Sequence, residues 1–490
     1  MSDSLTALDA TFLELEQQDE GALMHIGGVS VFDPVPGEGV PSADEISANL
    51  ALRLDQLPRY SQRLSSTRTG GFAWPRWIDD DRFQVRSHIN HVALPAPGGL
   101  AELSEWAADF YSHRLDRTRP LWEMTLIEGL PEGRWAIAHK THHCLVDGGG
   151  SVDVAYLLLD AEPNPPERPA APVLLPAADS GSLLEPFIPS PPQPIANVAR
   201  AGANVARAGL HATLHPRETL ERSRSLAELI VRDELIASPH TSLNVPIGST
   251  RRFAVVNRPL TEFKTASRAL GGSVNDVVLA ACTTGLQRML LARGERLPKR
   301  GLRAMVPMNV RQSSERLKLG NRVSSLFVDL PVATPDPHDR YRRIADATAR
   351  LKTSGAATGA ETVLDLAALA PPVLHATLAR SLYATRLFNV TITNVPGPQI
   401  PLYAFGAKLR EVHPVVPLAA AHSVGIAIFS YDGLVTFGVI ADSESTPDIG
   451  VLTGGIEEGI EELLALAPAA RQAAAEKAKA PPTSHYQRVT

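Results

Sequence analysis

From Leu100 onward the apolar side chains fall at helical spacing: Leu100, Leu103, Trp106, Ala107, Phe110, Tyr111 and Leu115. That pattern predicts an amphipathic helix with one face on a core. After the turn residues Pro131, Glu132 and Gly133, the run Arg134 to His142 reads as a strand. A glycine run follows, and Val152, Tyr156 and Leu159 then mark one face of a further helix. In the second half, Asp276 to Arg293 reads as a helix, and Leu302 to Val306, Val323 to Leu330 and Leu387 to Thr393 read as strands. Val424 to Ser430 and Leu434 to Ile440 flank Tyr431-Asp-Gly433, a hairpin signal. A helix from Ile449 to Leu466 follows, and the alanine-rich tail from Ala467 to Thr490, with Pro481 and Pro482, is expected to fray.

Between the two patterned halves the character changes. Pro163, Pro165, Pro166, Pro169, Pro172, Pro176, Pro186, Pro189, Pro191, Pro192 and Pro194 make a semi-rigid, extended linker. It leads into a duplicated heptapeptide, NVARAGA then NVARAGL, over residues 197–210. Ile195, Val198, Val205 and Leu210 can share a helix face there, with Arg200 and Arg207 elsewhere. Such a helix either docks on the protein or lies on an anionic lipid surface. The organisation expected is therefore a first domain over 1–160, a proline-rich linker with surface helices over 161–239, a second domain over 240–466 and a flexible tail over 467–490. The fold class expected is α/β, with mixed (α+β) sheets in two domains.

Composition narrows the function classes. The chain has 490 residues, 44% hydrophobic and 20% charged, as in a globular protein of more than one domain. A formal net charge of −6 gives no global field for nucleic acid. The two cysteines, Cys144 and Cys282, cannot staple a chain this long, and no CxxC pair offers a zinc ligand set. A reducing cytoplasm fits that usage. The acidic N-terminal stretch lacks the basic and apolar regions of a signal peptide. The sequence holds no run of about 18 apolar residues, the length that would suggest a membrane-spanning helix. Contact with membrane is therefore expected only from the surface.

The chemistry concentrates in Thr141-His-His-Cys-Leu-Val-Asp-Gly-Gly-Gly150. Adjacent residues of an extended chain point to opposite faces, so His142 and His143 do not readily share one metal ion. Cys144 follows His143 in sequence, but a thiol–imidazole dyad needs the side chains themselves within hydrogen-bond reach. A histidine general base is the third reading, since imidazole accepts a proton near neutral pH and only one of the pair need face the reaction. Asp147 stands where it caps the next helix or holds the loop, and Gly148 to Gly150 permit a tight turn.

His142-His143-x3-Asp147-Gly148 resembles the HHxxxDG motif of the CoA-dependent acyltransferase superfamily. Further stretches narrow the resemblance. Arg119-Pro-Leu-Trp-Glu123 is similar to its PLW motif, and Val274-Asn-Asp-Val277 to its ND motif. Val306-Pro-Met-Asn-Val-Arg311, Leu319-Gly-Asn-Arg322 and Thr393-Asn-Val-Pro-Gly-Pro398 fit as well, as do Leu5 to Phe12 and Met24-His-Ile-Gly-Gly28. Together these resemble the bacterial wax ester synthase/acyl-CoA:diacylglycerol acyltransferase family, from near the N-terminus to about residue 465.

That resemblance implies two chloramphenicol-acetyltransferase-like domains with the active site at their interface. It implies His143 as general base, His142 as a supporting residue and Asp147 as a structural, orienting one. Gly148, Pro120, Leu121, Trp122, Asn275 and Asp276 are implied as substrate-binding or interface residues. The implied reaction carries a long-chain acyl group from acyl-CoA directly to diacylglycerol, giving triacylglycerol, or to a long-chain alcohol, giving wax ester. No metal and no cofactor is implied, and the protein is expected in the cytoplasm, in peripheral contact with membrane or lipid droplets. The alternatives are an HHxxxDG enzyme using a soluble alcohol or a carrier-protein-bound acyl donor, and a non-catalytic relative that binds lipid droplets.

Overall fold

The structure, a computed structural model, describes residue 5 and residues 7–54, 57–65, 75–145, 158–164, 238–309, 323–353 and 387–479. The first half contains helix α1 (Ala7–Gln18), strand β1 (His25–Phe32) and helix α2 (Ala43–Arg53). Strands β2 (Gln62–Leu64), β3 (Trp77–Asp79) and β4 (Ile89–Ala93) follow, then α3 (Leu100–Ser112), β5 (Trp122–Glu128) and β6 (Trp135–His142). The second half runs β7 (Arg251–Pro259), α4 (Leu260–Leu270), α5 (Val274–Ala292), β8 (Leu302–Asn309), β9 (Val323–Leu330) and α6 (Pro337–Thr353). It continues through β10 (Val390–Pro396), β11 (Tyr403–Ala404), β12 (Ala407–Val415), β13 (Val424–Tyr431), β14 (Leu434–Asp442) and α7 (Ile449–Lys479).

Two six-stranded sheets organise these elements. The first has the order β11-β12-β1-β6-β5-β4 and the second β7-β14-β13-β10-β8-β9, with β2 and β3 pairing separately. Both six-stranded sheets mix parallel and antiparallel neighbours: β4–β5, β10–β13 and β8–β10 are parallel. The hairpin read from Tyr431-Asp-Gly433 forms between β13 and β14, with Asp432 and Gly433 both at positive φ, as such a tight reversal requires.

The division of the sequence at residue 240 does not follow the sheets. Strand β12 lies well inside the second half, yet it pairs antiparallel with β1, so the second half supplies the edge of the first sheet. The two sheets also share a core. Val29, Val31, Ala136 and Ala138 of the first sheet and Phe110 and Tyr111 of α3 pack with Phe253, Ile440 and Val415. The other face of the first sheet packs Phe32, Trp135, Ile137 and Trp122 with Ile46 and Leu50 of α2. Strand β6 therefore alternates small and large residues, Ala136 and Ala138 inward to the junction, Trp135 and Ile137 to the opposite side. The second sheet is covered on one side by α4, α5 and α7, whose core includes Phe263, Leu279, Leu286, Leu452 and Ile456.

Other expectations meet the structure unevenly. The helix beginning at Leu100 and the strand ending at His142 form as read. The helix expected over Ile449–Leu466 continues to Lys479, through Pro468 and into the tail expected to fray. Alanine is the strongest helix former, and the run after Pro468 is alanine-rich enough to carry the helix past it. Val152, Tyr156 and the duplicated segment at 197–210 lie outside the described residues, while Leu159 is buried in a non-helical stretch.

The junction between β12 and β14 leaves no room at Gly438, where a Cβ would stand 1.9 Å from the Pro414 carbonyl oxygen. Replacing Gly438 with alanine must push the two strands apart. We expect Gly438→Ala to lower the unfolding free energy by about 2–3 kcal/mol in urea titrations, and an unchanged midpoint would show that the strands do not cross this closely.

Candidate functional site

The histidine pair ends β6, which lies between β1 and β5. Backbone hydrogen bonds fix that end from both sides. The His142 N–H donates to the Leu121 carbonyl at 3.0 Å, and the His143 N–H donates to the Met24 carbonyl at 2.8 Å. The two side chains part accordingly. His142 is fully buried, whereas His143 lies at the start of a turn and is partly open. His143 also stacks on Phe12 of α1, ring centroids 4.1 Å apart at an interplanar angle of 26°.

His142 is held by both ring nitrogens. Its Nδ1 accepts from the Cys144 N–H at 3.1 Å, so that nitrogen carries no proton. Its Nε2 therefore bears the hydrogen, which it donates to Glu16 Oε2 at 3.1 Å. Nδ1, the one ring nitrogen with a free lone pair, already accepts a hydrogen bond and Nε2 carries a hydrogen, so His142 is no metal ligand in this arrangement.

Glu16 is the residue that sequence reading missed. It lies on α1, 1% exposed, with three cationic or donor groups converging on its carboxylate. Besides His142, Arg117 Nη2 donates to Oε2 at 2.6 Å and His25 Nε2 lies 3.2 Å from Oε1. His25 is the direct cross-strand partner of His142 in the β1–β6 register, so the two imidazoles share one face of the sheet. Burial alone would raise the Glu16 pKa, but the hydrogen-bonding contacts of His142 and His25 outweigh it and hold the carboxyl well below its usual range. Burial pushes His25 down to about 4, with Glu16 opposing, so His25 is neutral at physiological pH. The sequence contained one signal: Phe12 and His25 both fall in stretches matched to the family, but no chemistry was assigned to either, and Glu16 lies between them.

The remaining expected site residues divide by what they touch. Pro120, Leu121 and Trp122 are buried at the start of β5. The Trp122 indole N–H donates to the Tyr60 carbonyl at 2.8 Å and its ring stacks on His88 at 4.5 Å, while the Leu121 carbonyl accepts from His142. These are packing contacts that set the neighbouring strand. Asn275 and Asp276 open α5 in the second half. Asp276 closes a capping box with Ser273 at 2.7 Å and accepts from Thr348 Oγ1 at 2.7 Å. Asn275 Oδ1 accepts from Asn394 Nδ2 at 3.1 Å, which joins two of the sequence motifs. Asp147 and Gly148 lie outside the described residues.

Cys144 is buried, and burial drives its thiol pKa well above the ordinary value. A thiol kept protonated is a poor nucleophile. The second half also reaches this region: Phe12 and Ala420 pack together on Leu15, Ala22 and Met24. Arg251 ties the halves further, its guanidinium donating to the Gly21 carbonyl and its N–H to Ser112 Oγ at 2.9 Å. The partly open histidine therefore stands beside the junction of the two halves.

Comparison with known proteins gives this geometry a family. The wax ester synthase/diacylglycerol acyltransferase catalytic domain matches residues 5–278, and the WS/DGAT C-terminal domain matches residues 319–464. The probable diacylglycerol O-acyltransferase tgs1 of Mycobacterium tuberculosis is 33% identical over 474 residues, 94% of this chain and 96% of that protein. The probable diacylglycerol O-acyltransferase tgs2 of the same species is 31% identical over 463 residues, 93% of this chain and 97% of its own length. Among solved structures, the wax ester synthase/diacylglycerol acyltransferase from Marinobacter aquaeolei VT8 superposes with a TM-score of 0.67 at 27% identity, covering 95% of this chain and 100% of that one. The first condensation domain of the calcium-dependent antibiotic synthetase shares the fold, with a TM-score of 0.57 at 17% identity over 95% of this chain and 96% of its own. The fold is thus the two-domain, chloramphenicol-acetyltransferase-like one, and the chain belongs to the wax ester synthase/diacylglycerol acyltransferase family.

Proposed function

We propose that this acyltransferase carries an acyl group from acyl-CoA directly to the hydroxyl of diacylglycerol, with His143 as the general base. The observation that carries the reading is the division of the histidine pair. His142 is sealed inside with both nitrogens bonded, and His143 alone of the two is partly open, at the junction of the halves.

The chemistry follows from what an alcohol needs. Its proton leaves far above neutral pH, so the oxygen attacks a thioester well only as a base removes that proton. His143 takes the proton while the hydroxyl oxygen bonds to the thioester carbon. The tetrahedral oxyanion then collapses, the carbon–sulfur bond breaks, and the protonated His143 returns its proton to the CoA thiolate. The products are triacylglycerol and CoA. No metal or prosthetic group enters this sequence, and a long-chain alcohol in place of diacylglycerol would give a wax ester by the same steps.

The oxyanion needs preorganised donors. Three backbone amides near the base are already engaged: His143 N–H with Met24, Cys144 N–H with His142 Nδ1, and Leu145 N–H with the His142 carbonyl at 2.9 Å. The donor must then come from further along the glycine run, from the second half, or from a water. A carrier-bound donor is not favoured, since the full-length relatives bear the diacylglycerol acyltransferase name.

Both acceptors are too apolar to arrive through water. Among the described residues no helix is long and apolar enough to cross a membrane, so we assign the delivery of lipid to peripheral contact with a membrane or droplet surface. Residues 195–225 are the candidate for that contact, on the strength of the arginine-bearing repeat at 197–210.

An assay of palmitoyl-CoA against diacylglycerol and hexadecanol, with thin-layer separation of the products, tests the reaction. His143→Ala should lose on the order of 100- to 10,000-fold in turnover, and Cys144→Ala should keep most of it; a fully active His143→Ala removes the base assignment. Deletion of residues 195–225 should weaken flotation with anionic liposomes, and unchanged flotation sinks the surface-helix idea.

A further inference from the structure

Helix α1 meets both histidines, and it does so from one face. Phe12 and Glu16 are one helical turn apart, so their side chains lie side by side. Phe12 covers the ring of His143, and Glu16 bonds the ring of His142. The next link is covalent. His142 Nδ1 holds the N–H of Cys144, which belongs to the peptide unit that begins at His143. The His142 imidazole can accept there only while its single hydrogen stays on Nε2, and Glu16 is what that hydrogen points to. The same carboxylate is itself fixed by Arg117, which also donates to the Leu13 carbonyl at 3.1 Å, and by His25.

We propose that Glu16 is a positioning residue for acyl transfer: it locks the tautomer and angle of His142, which in turn fixes the peptide carrying His143. The inference rests on His143 being the base, since only then does its placement govern turnover. Without the Glu16 acceptor, the His142 Nε2–H faces a buried site with no partner. The ring then gains by turning or by moving its hydrogen to Nδ1. Either change releases the Cys144 N–H, and the turn holding His143 loosens. A general base must lie within hydrogen-bond reach of the proton it takes, so a small displacement of the ring lowers turnover far more than it lowers substrate binding.

Three measurements test this, the first on the unaltered protein. Histidine-selective nitrogen-15 spectra of the wild-type chain should show His142 with hydrogen on Nε2 and none on Nδ1; the opposite tautomer overturns the proposal whatever the enzyme's activity. Glu16→Met, similar in length but without an acceptor, should lower kcat on the order of 100-fold while KM for palmitoyl-CoA stays near the wild-type value. Glu16→Gln should recover part of that loss, because an amide oxygen still accepts from His142. If Glu16 only fills space, Met and Gln should behave alike. The double variant Glu16→Met with His142→Asn should be no slower than the slower single variant, because both act through one link. Fully additive losses, or wild-type kcat in Glu16→Met, contradict the proposal. A wild-type protein that transfers no acyl group would instead refute the proposed function, and the tautomer spectrum would still decide whether Glu16 holds His142.

Discussion

A carboxylate taken out of water must be surrounded by donors, and Glu16 sets this requirement at the place where the histidines stand. Removing one partner from a buried ion pair typically costs about 3–5 kcal/mol, so the elements that bring those partners are constrained together. Strand β1 brings His25, β6 brings His142, and the chain leading into β5 brings Arg117. Helix α1, which carries the carboxylate, is thereby anchored across the end of two strands. Lys140 repeats the logic on the same strand face: its fully buried ammonium bonds the Phe110 and His113 carbonyls at 2.7 and 2.9 Å and Glu123 at 2.6 Å. It thus caps the end of α3 with a cation, where the helix dipole favours one.

These polar links sit on a face otherwise given to close packing between the halves. Ala136 and Ala138 keep β6 thin there, and Gly27 has no room for a side chain, since a Cβ would stand 1.9 Å from the His139 carbonyl oxygen. Tyr111 reaches that same oxygen at 2.7 Å. The second half closes the arrangement by lending β12 to the first sheet and Ala420 to the cluster that includes Phe12. A histidine at the end of β6 is therefore placed by both halves, although it belongs to the first.

Much of this was legible in the sequence. Helical spacing located α3, the turn at Pro131 to Gly133 marked the start of β6, and Tyr431-Asp-Gly433 marked the β13–β14 hairpin, while α5 reads as a helix although it is buried nearly all round. The parity of an extended chain already separated His142 from His143, though not which one faces the reaction; that came from the family resemblance. What stayed hidden depends on contacts distant in sequence. Strand β12 alternates as an ordinary strand would, and nothing local says that its partner is β1 rather than a neighbour in its own half. Glu16 lies in an acidic stretch where nothing local marks one carboxylate as buried, and only its convergence with residues roughly a hundred positions away reveals it. Asp276 of the implied ND motif differs from these: it closes a capping box at the start of α5, a local contact that the Ser273-x-x-Asp276 spacing itself expresses.

The central claim is direct transfer on His143, with no acyl group resting on the protein. Rapid-quench measurement of CoA release, with palmitoyl-CoA alone and with diacylglycerol present, tests it most directly. Direct transfer predicts no stoichiometric burst of CoA without the acceptor and prompt release once diacylglycerol is added. A burst equal to the enzyme concentration in its absence, with acyl mass retained on the chain, would contradict the account.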